Sequence, residues 1–133
     1  MEENRTYFAY GANINKDSMA HRCPKAKEVG TIILRNWELL FFNHATIEFK
    51  TGSMVAGALW ELTPDCERSL DLFEGYPDYY VKKSWSQDGH EFFFYQMAGF
   101  KRGTPSLSYV QNIAEGYKQW NLPTTFLIES LHL

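Results

Sequence analysis

Cysteine is scarce in this sequence, and the patterns that bind metals or nucleotides are missing. The 133 residues contain only Cys23 and Cys66, too few for a disulfide framework and without a CxxC pair or a tight Cys/His cluster for zinc. Neither a GxxxxGK(S/T) loop nor a GxGxxG loop is present. The histidines are far apart and lack ligand spacing: His21, His44, His90 and His132. We therefore expect no metal and a reducing, cytoplasmic location.

Positive charge and long apolar runs are also limited. Thirteen Lys and Arg face sixteen Asp and Glu, for a formal net charge of -3 and a pI near 5.8. This balance argues against a nucleic-acid partner, since gripping a phosphate backbone requires clustered basic residues. Apolar runs such as 37–42 fall far short of the roughly 20 residues that a membrane span needs. We expect no membrane association and no secretory segment before Tyr7.

Aromatic residues, by contrast, are abundant. Ten Phe, eight Tyr and four Trp make up 17% of the chain, and Tyr and Trp each carry a polar group that needs a partner when buried. Some of them are expected to line a pocket. The length is typical of one compact domain, and we expect residues 1–133 to form a single one.

The residue pattern predicts short strands mixed with helices, which is an α+β fold. Helices are expected where capping residues precede helix-forming runs, and strands where β-favouring residues lie between turn signals. An Asp88-Gly89 pair indicates a hairpin turn, and Gly75 followed by Pro77 indicates a helix end. The predicted helices span 16–22, 64–73, 105–120 and 126–131. The predicted strands span 6–10, 27–34, 37–43, 54–62, 79–86 and 91–97.

The turn after the first strand is a candidate anion site. Tyr10, Gly11, Ala12 and Asn13 join an aromatic strand to a helix, so successive backbone N–H groups and the positive end of a helix lie together. Gly followed by Asn also occurs in ordinary turns. The loop alone does not decide between the two interpretations.

Glu74 is a candidate general base at the end of the second predicted helix. Acidic residues near a helix end are usually solvated surface groups, which is the stronger interpretation of Glu74 taken alone. An acidic residue at a helix C-terminus also opposes the macrodipole, which is a weaker indication of a functional role. Asp71 lies three residues earlier on the same helical face, and a carboxylate pair raises the pKa of one member toward neutrality. Together with Tyr79, Tyr80, Tyr95 and Tyr109, Glu74 predicts a polar aromatic pocket, although each tyrosine also suits a plain core.

In combination these motifs resemble the gamma-glutamylcyclotransferase-like family. The family has a Tyr-Gly-Ser-Asn loop after its first strand and a later Leu-Asp-x-x-Glu-Gly segment. Here residues 7–13 read Tyr-Phe-Ala-Tyr-Gly-Ala-Asn, and residues 70–75 read Leu-Asp-Leu-Phe-Glu-Gly. Intervening and later segments, such as 57–62 and 109–123, also match, so the resemblance covers nearly the whole chain.

The resemblance implies a small twisted mixed sheet or barrel flanked by helices, and a reaction that needs no cofactor. Glu74 would accept a proton from the substrate's alpha-amine and return it to the leaving amine, which releases 5-oxoproline from a gamma-glutamyl compound. The N–H groups of Gly11, Ala12 and Asn13 would hold the alpha-carboxylate or the oxyanion. Pocket tyrosines are implied at Tyr80, Tyr95 and Tyr109.

One departure from the family leaves alternatives open. Ala12 replaces the usual Ser, which removes a hydroxyl and keeps the backbone donor; a lost bond to a charged group costs about 1.5–3 kcal/mol. The chain is therefore interpreted as a cyclotransferase or, alternatively, as a small-molecule binding or interaction module on the same fold. A different acyl or amide transfer is a third reading. Glutathione, gamma-glutamyl amino acids and gamma-glutamylamines all remain candidate substrates, and the oligomeric state is unknown.

Overall fold

The computed structural model describes residues 3–99 and 103–131, so His132 lies outside the described residues. The strands are β1 Arg5–Ala9, β2 Lys27–Phe41, β3 Ala45–Leu62, β4 Tyr80–Gln87 and β5 His90–Met97. The helices are α1 Lys16–Arg22, α2 Pro64–Glu74, α3 Leu107–Gln119 and α4 Thr125–Ser130, and a 3-10 turn covers Ala12–Ile14.

The five strands form one mixed sheet in the order β2-β3-β1-β5-β4. β1 lies in the middle, antiparallel to β3 and parallel to β5, where Tyr7 pairs with Phe93. The α+β class is confirmed. The resemblance implies either a mixed sheet or a barrel. The structure has an open sheet, since backbone pairing among the described strands does not join β2 to β4.

The hairpin of β2 and β3 is longer than the sequence predicts. Residues 27–34 and 37–43 were expected as separate strands, yet they form one strand with a register shift between Arg35 and Trp37. Asn36 occupies the shift with a φ of 69°, a conformation that asparagine tolerates better than most residues. The irregularity therefore bends the strand without ending it.

The other local predictions are confirmed with small changes of boundary. Asp88 and Gly89 turn the β4–β5 hairpin with φ values of 52° and 82°, as a type I′ turn requires. The Thr63 hydroxyl accepts the Cys66 N–H at the start of α2, and the Asn15 side chain caps α1.

Tight contacts fix how the elements pack. A methyl group on Gly57 of β3 would lie 2.5 Å from the Ala9 carbonyl oxygen, and one on Gly116 of α3 would lie 2.7 Å from the Asn15 backbone nitrogen. Only a glycine allows these approaches. The contact at Gly116 brings α3 against the turn that follows β1.

Side chains connect the two outer strands of the sheet. Gln87 at the end of β4 accepts the Arg35 N–H at 2.8 Å and donates to the Ile33 carbonyl at 2.8 Å. The Arg35 guanidinium also donates twice to the Asp88 carboxylate, each at 3.0 Å. The open sheet is therefore curved until β2 and β4 approach each other.

Within the part of the chain that the structure describes, no helix combines the length and apolar character that crossing a membrane requires.

Candidate functional site

A cavity of about 550 Å³ lies where the end of β1, the end of α2 and the start of α3 meet. Several aromatic side chains line it, as the composition predicts. The residues predicted to form the site all line this cavity: Tyr10, Gly11, Ala12, Asn13, Glu74, Tyr80, Tyr95 and Tyr109. The two motifs, some sixty residues apart in sequence, therefore face one space.

Glu74 is the last residue of α2 and projects into this cavity. Gly75 ends the helix with a φ of 66°, while the Tyr76 N–H donates to the Asp71 carbonyl and the Gly75 N–H to the Leu72 carbonyl, a Schellman arrangement. The rigid end fixes where the Glu74 side chain begins. A carboxylate is thus held at a defined point of the wall.

The carboxyl group of Glu74 has a proton affinity suited to acid–base chemistry. The residue is half-buried because it lines an open cavity, yet its carboxyl group is surrounded by protein. Burial raises the pKa of Glu74 to about 7, and the charge of Arg22 opposes this rise. A pKa near neutrality lets one group accept and return a proton.

The expected carboxylate pair of Asp71 and Glu74 is not formed. Asp71 instead accepts a hydrogen bond from the Tyr95 hydroxyl at 2.7 Å and contacts Lys82 Nζ at 2.8 Å. The ion pair with Lys82 neutralises its charge outside the cavity. The raised pKa of Glu74 therefore has a different cause from the one predicted, namely desolvation.

The loop after β1 forms a 3-10 turn at the rim of the cavity. The Ile14 N–H donates to the Gly11 carbonyl and the Asn15 N–H to the Ala12 carbonyl. In residues 3–99 and 103–131, the N–H groups of Ala12 and Asn13 have no such backbone partner, as expected of a first helical turn. These two donors are open to a ligand.

The Asn13 side chain, in contrast, is committed to protein partners. Its Oδ1 accepts from the Arg22 guanidinium at 2.6 Å, and its Nδ2 donates to the Tyr7 hydroxyl at 3.0 Å. Its backbone carbonyl accepts the Trp60 indole N–H at 3.0 Å. Asn13 thus connects α1, β1 and β3 beneath the loop.

The cavity tyrosines differ in whether their hydroxyl proton is used. Tyr10 donates to the Tyr95 carbonyl, Tyr80 to the Ala45 carbonyl and Tyr95 to Asp71. The Tyr109 oxygen accepts the Ala45 N–H at 3.0 Å, which leaves its own proton available.

All these phenols remain protonated at neutral pH. Burial comes first among the causes, and the charge of Glu74 adds to it, so the pKa values of Tyr7, Tyr10, Tyr80 and Tyr95 lie well above 10. Burial also raises the pKa of Tyr109 to about 12.

Comparison with known proteins gives one consistent answer. A family model described as gamma-glutamyl cyclotransferase, AIG2-like, matches residues 7–118. The human protein named gamma-glutamylcyclotransferase is 30% identical over 94% of this chain and 76% of its own length. The bovine protein of that name is 30% identical over 93% of this chain and 76% of its own length. The chain belongs to the gamma-glutamyl cyclotransferase, AIG2-like family.

Solved structures agree with this assignment. A structure named gamma-glutamyl cyclotransferase superposes with a TM-score of 0.85 at 27% identity, and the match covers 96% of this chain and 86% of that one. The resemblance inferred from the two motifs is thereby confirmed. Membership in the gamma-glutamyl cyclotransferase, AIG2-like family supports an enzyme of this type.

Sequence reasoning missed several residues of this family member's cavity. Tyr7, Arg22, His44 and Phe73 also line it. Both faces of β1 are covered, so alternation along the strand does not single out Tyr7. Arg22 belongs to no catalytic motif, and its contact with Asn13 depends on how α1 packs against the loop.

The His and Cys side chains of the described residues form no metal site, and the thiol of Cys23 is not activated. No group of three or more His, Cys, Asp or Glu side chains is arranged to hold a metal there. The His44 Nδ1 lies 3.1 Å from the Tyr79 hydroxyl. Cys23 is buried, and burial together with Cys66 raises its pKa to about 12, which suppresses the reactive thiolate.

Proposed function

We propose that the protein converts a gamma-glutamyl amine or peptide to 5-oxoproline and releases the amine, with Glu74 as general acid and base. The observation that carries the proposal is that one cavity holds both the Glu74 carboxyl group and the backbone N–H groups of Ala12 and Asn13. Burial raises the pKa of Glu74 to about 7. A family that includes enzymes of this name supports it.

The proposed reaction begins with proton transfer to Glu74. The ionised carboxylate accepts a proton from the alpha-ammonium group, and the freed amine attacks the gamma-carbonyl carbon of the same molecule. Because nucleophile and electrophile belong to one substrate, holding the chain folded back supplies much of the rate. No cofactor is needed for this step.

The second half of the reaction returns the same proton. The tetrahedral intermediate collapses, the carbonyl re-forms, and the bond from carbon to the leaving nitrogen breaks. Protonated Glu74 gives its proton to that nitrogen, and the regenerated carboxylate takes the second proton from the ring nitrogen and passes it to the released amine. The neutral lactam and the protonated amine then leave with the enzyme unchanged. The N–H groups of Ala12 and Asn13 are proposed to bind the alpha-carboxylate or the developing oxyanion.

The Ala12 position bears on substrate affinity more than on the chemistry. Its backbone donor is present, and the hydroxyl of the family's usual Ser is absent. The proposed substrates span glutathione, gamma-glutamyl amino acids and gamma-glutamylamines. The two free, buried thiols of Cys23 and Cys66 suit the reducing cytoplasm in which we propose that it acts.

The test is to incubate purified protein with a panel of gamma-glutamyl compounds and to follow 5-oxoproline by mass spectrometry. Product from the wild type that is lost in Glu74→Gln supports the proposal and identifies the substrate. Product that appears only after Ala12→Ser favours the binding module instead. If none of the three proteins forms 5-oxoproline, the cyclotransferase proposal is contradicted, and so is the idea that the Ser hydroxyl alone restores activity.

A further inference from the structure

The hydroxyl group of Tyr7 lies in the candidate site without a role in the reaction as described so far. Tyr7 is 4% exposed and lines the cavity that holds Glu74. Its strand is paired on both sides, with Trp60 of β3 and Phe93 of β5. Its ring packs against Phe93 and Tyr95 with centroids 5.4 and 5.6 Å apart. The phenol is therefore fixed in position.

A chain of hydrogen bonds determines which way the Tyr7 proton points. The guanidinium of Arg22 only donates, so the Asn13 oxygen must face it, at 2.6 Å. The Asn13 amide nitrogen then faces Tyr7 and donates to its oxygen at 3.0 Å. With its oxygen accepting, Tyr7 keeps its own proton for another acceptor. Within residues 3–99 and 103–131, no acceptor for that proton is found.

Arg22 itself is held against the other half of the site. Its guanidinium lies 3.9 Å from the ring centre of Phe73, the residue before Glu74. A positive charge at the far end of the chain polarises Asn13 and, through it, the Tyr7 hydroxyl, because hydrogen bonds in series strengthen one another. The Tyr109 proton is also available, but its oxygen accepts from a neutral backbone N–H.

We infer that Tyr7 donates a hydrogen bond to the gamma-carbonyl oxygen as it becomes an oxyanion, and that Arg22 and Asn13 are positioning residues which orient this donor. The inference rests on the proposed function. As the amine attacks, the electron pair of the carbonyl moves to oxygen, and the Tyr7 O–H stabilises that charge. Tyr7 keeps its proton throughout, so the proton balance of Glu74 is unchanged.

The first test compares kcat and KM of Tyr7→Phe with those of the wild type, on the gamma-glutamyl compound that the wild type consumes fastest. Loss of one oxyanion donor is expected to lower kcat by about 100-fold with little change in KM. Tyr117→Phe is the matched control, because Tyr117 is buried elsewhere and its hydroxyl has no partner among the described residues. Wild-type kcat in Tyr7→Phe, or a change in KM alone, overturns the inference.

Asn13→Asp tests the orientation while keeping the phenol and the side-chain shape. An aspartate at this position accepts from Arg22 and also from Tyr7, so the Tyr7 proton turns away from the cavity. We expect kcat to fall in the same way as in Tyr7→Phe, measured on the plateau of the pH profile where Glu74 is ionised. The double variant Tyr7→Phe with Asn13→Asp should lose no more kcat than Tyr7→Phe alone. If the two losses multiply, they are independent, which would contradict the chain of hydrogen bonds.

Two substitutions test Arg22: Arg22→Gln removes its charge, and Arg22→Lys restores a positive charge. Arg22→Gln should lower kcat less than Tyr7→Phe does, and Arg22→Lys should recover part of it, since lysine also donates to the Asn13 oxygen. Equal losses in both variants would assign Arg22 a purely structural role and remove it from the inference. Thermal melting of each variant identifies any that fail to fold.

A binding measurement separates failure of this inference from failure of the proposed function. If no compound yields 5-oxoproline with the wild type, the proposed function fails. Protein labelled with 13C at the tyrosine Cζ is then titrated with 5-oxoproline, and the Tyr7 signal is assigned by its loss in Tyr7→Phe. A shift of that signal, with Tyr117 unmoved, supports Tyr7 as the donor. A Tyr7 signal unmoved at saturating 5-oxoproline overturns it.

Discussion

At the residue scale, the properties of Glu74 result from two opposing influences. Burial raises its pKa and the charge of Arg22 lowers it, with burial the larger. Five tyrosines also interact with it and remain neutral at pH 7: Tyr7, Tyr10, Tyr80, Tyr95 and Tyr109. The charge of Arg22 therefore limits how far burial raises the pKa of Glu74.

Because burial and Arg22 act in opposite directions on the pKa of Glu74, replacing Arg22 should shift the pH dependence of kcat/KM. In the wild type, kcat/KM should rise with pH through about 7, because the general base must be ionised. Arg22→Gln removes the influence that lowers the pKa of Glu74, so the rising limb should move to higher pH. Arg22→Lys keeps the charge and should leave the limb near its original place. A limb that is unmoved in Arg22→Gln would contradict the prediction.

The same carboxyl group makes stability depend on pH. The pKa of Glu74 is raised in the folded protein, so the folded state binds more protons than the unfolded state between pH 4.5 and about 7. The free energy of unfolding is expected to fall across this window as pH rises. Glu74→Gln should abolish this loss and stabilise the protein by about 1–3 kcal/mol at pH 8, with no gain at pH 4. Urea denaturation at both pH values measures it, with Glu129→Gln as an exposed control.

How much of the site follows from sequence depends on the residue. Glu74 is found because its helix end is marked by Gly75 and Pro77, and the loop because Gly11 marks a turn. The partner of Asp71 is not found, because Lys82 lies on another element and their pairing is a tertiary contact. Tyr7 and Arg22 are missed for the same reason, since only the fold brings Asn13 between them.

At the scale of elements, Gly116 controls how α3 meets the turn after β1. A methyl group there would lie 2.7 Å from the Asn15 nitrogen and 2.9 Å from the Ile14 carbonyl carbon. Gly116→Ala is therefore expected to destabilise the protein by about 1–3 kcal/mol. It should also raise KM, because α3 carries Tyr109. Gly99→Ala is the control, since a methyl group there meets nothing within 4 Å; equal stability of the two variants would contradict the prediction.

Lys82 of β4 connects the sheet to α2 through two carboxylates. Its Nζ contacts Glu67 and Asp71, and its side chain is only 16% exposed. Burial lowers the pKa of Lys82, but hydrogen bonds to Asp71 and Glu67 outweigh this and raise it. The ion pair is therefore maintained on the side of α2 that faces the sheet.

Lys82→Met should leave those two carboxylates without their shared cation. We expect a loss of about 3 kcal/mol at pH 7, the lower end for a buried pair. Lys50→Met, which breaks the exposed pair with Glu38, should change stability by less than about 1 kcal/mol. Urea denaturation measures the free energy of unfolding of both variants. Similar losses of stability in Lys82→Met and Lys50→Met would contradict the prediction.

Element boundaries were predictable where local signals dominate. The caps at Asn15 and Thr63 and the turn at Asp88 act within a few residues, and the structure agrees with each. The long β2–β3 hairpin was not predictable, because continued pairing across Asn36 is decided by the neighbouring strand. The sequence pattern had predicted separate strands at 27–34 and 37–43.

At the scale of the whole molecule, the Gln87 side chain connects the two edge strands β2 and β4 through hydrogen bonds to the β2 backbone. Gln87→Ala would leave the Ile33 carbonyl and the Arg35 N–H without their partner. The expected loss of stability is about 1–2 kcal/mol, together with faster amide exchange at Arg35. Gln111→Ala, at an exposed position of α3, is the control. Unchanged exchange at Arg35 would show that the two edges do not depend on this side chain.

The central position of β1 has a consequence for synthesis on the ribosome. β1 is made first, yet its neighbour β5 ends at Met97, and Tyr109 follows later still. A nascent chain shorter than about a hundred residues therefore exposes one side of an aromatic strand and has no complete cavity. Pairings between distant segments form slowly and leave such edges open to aggregation. We expect nascent chains that end before β5 to recruit chaperones, and binding of ligand to begin only once α3 has emerged.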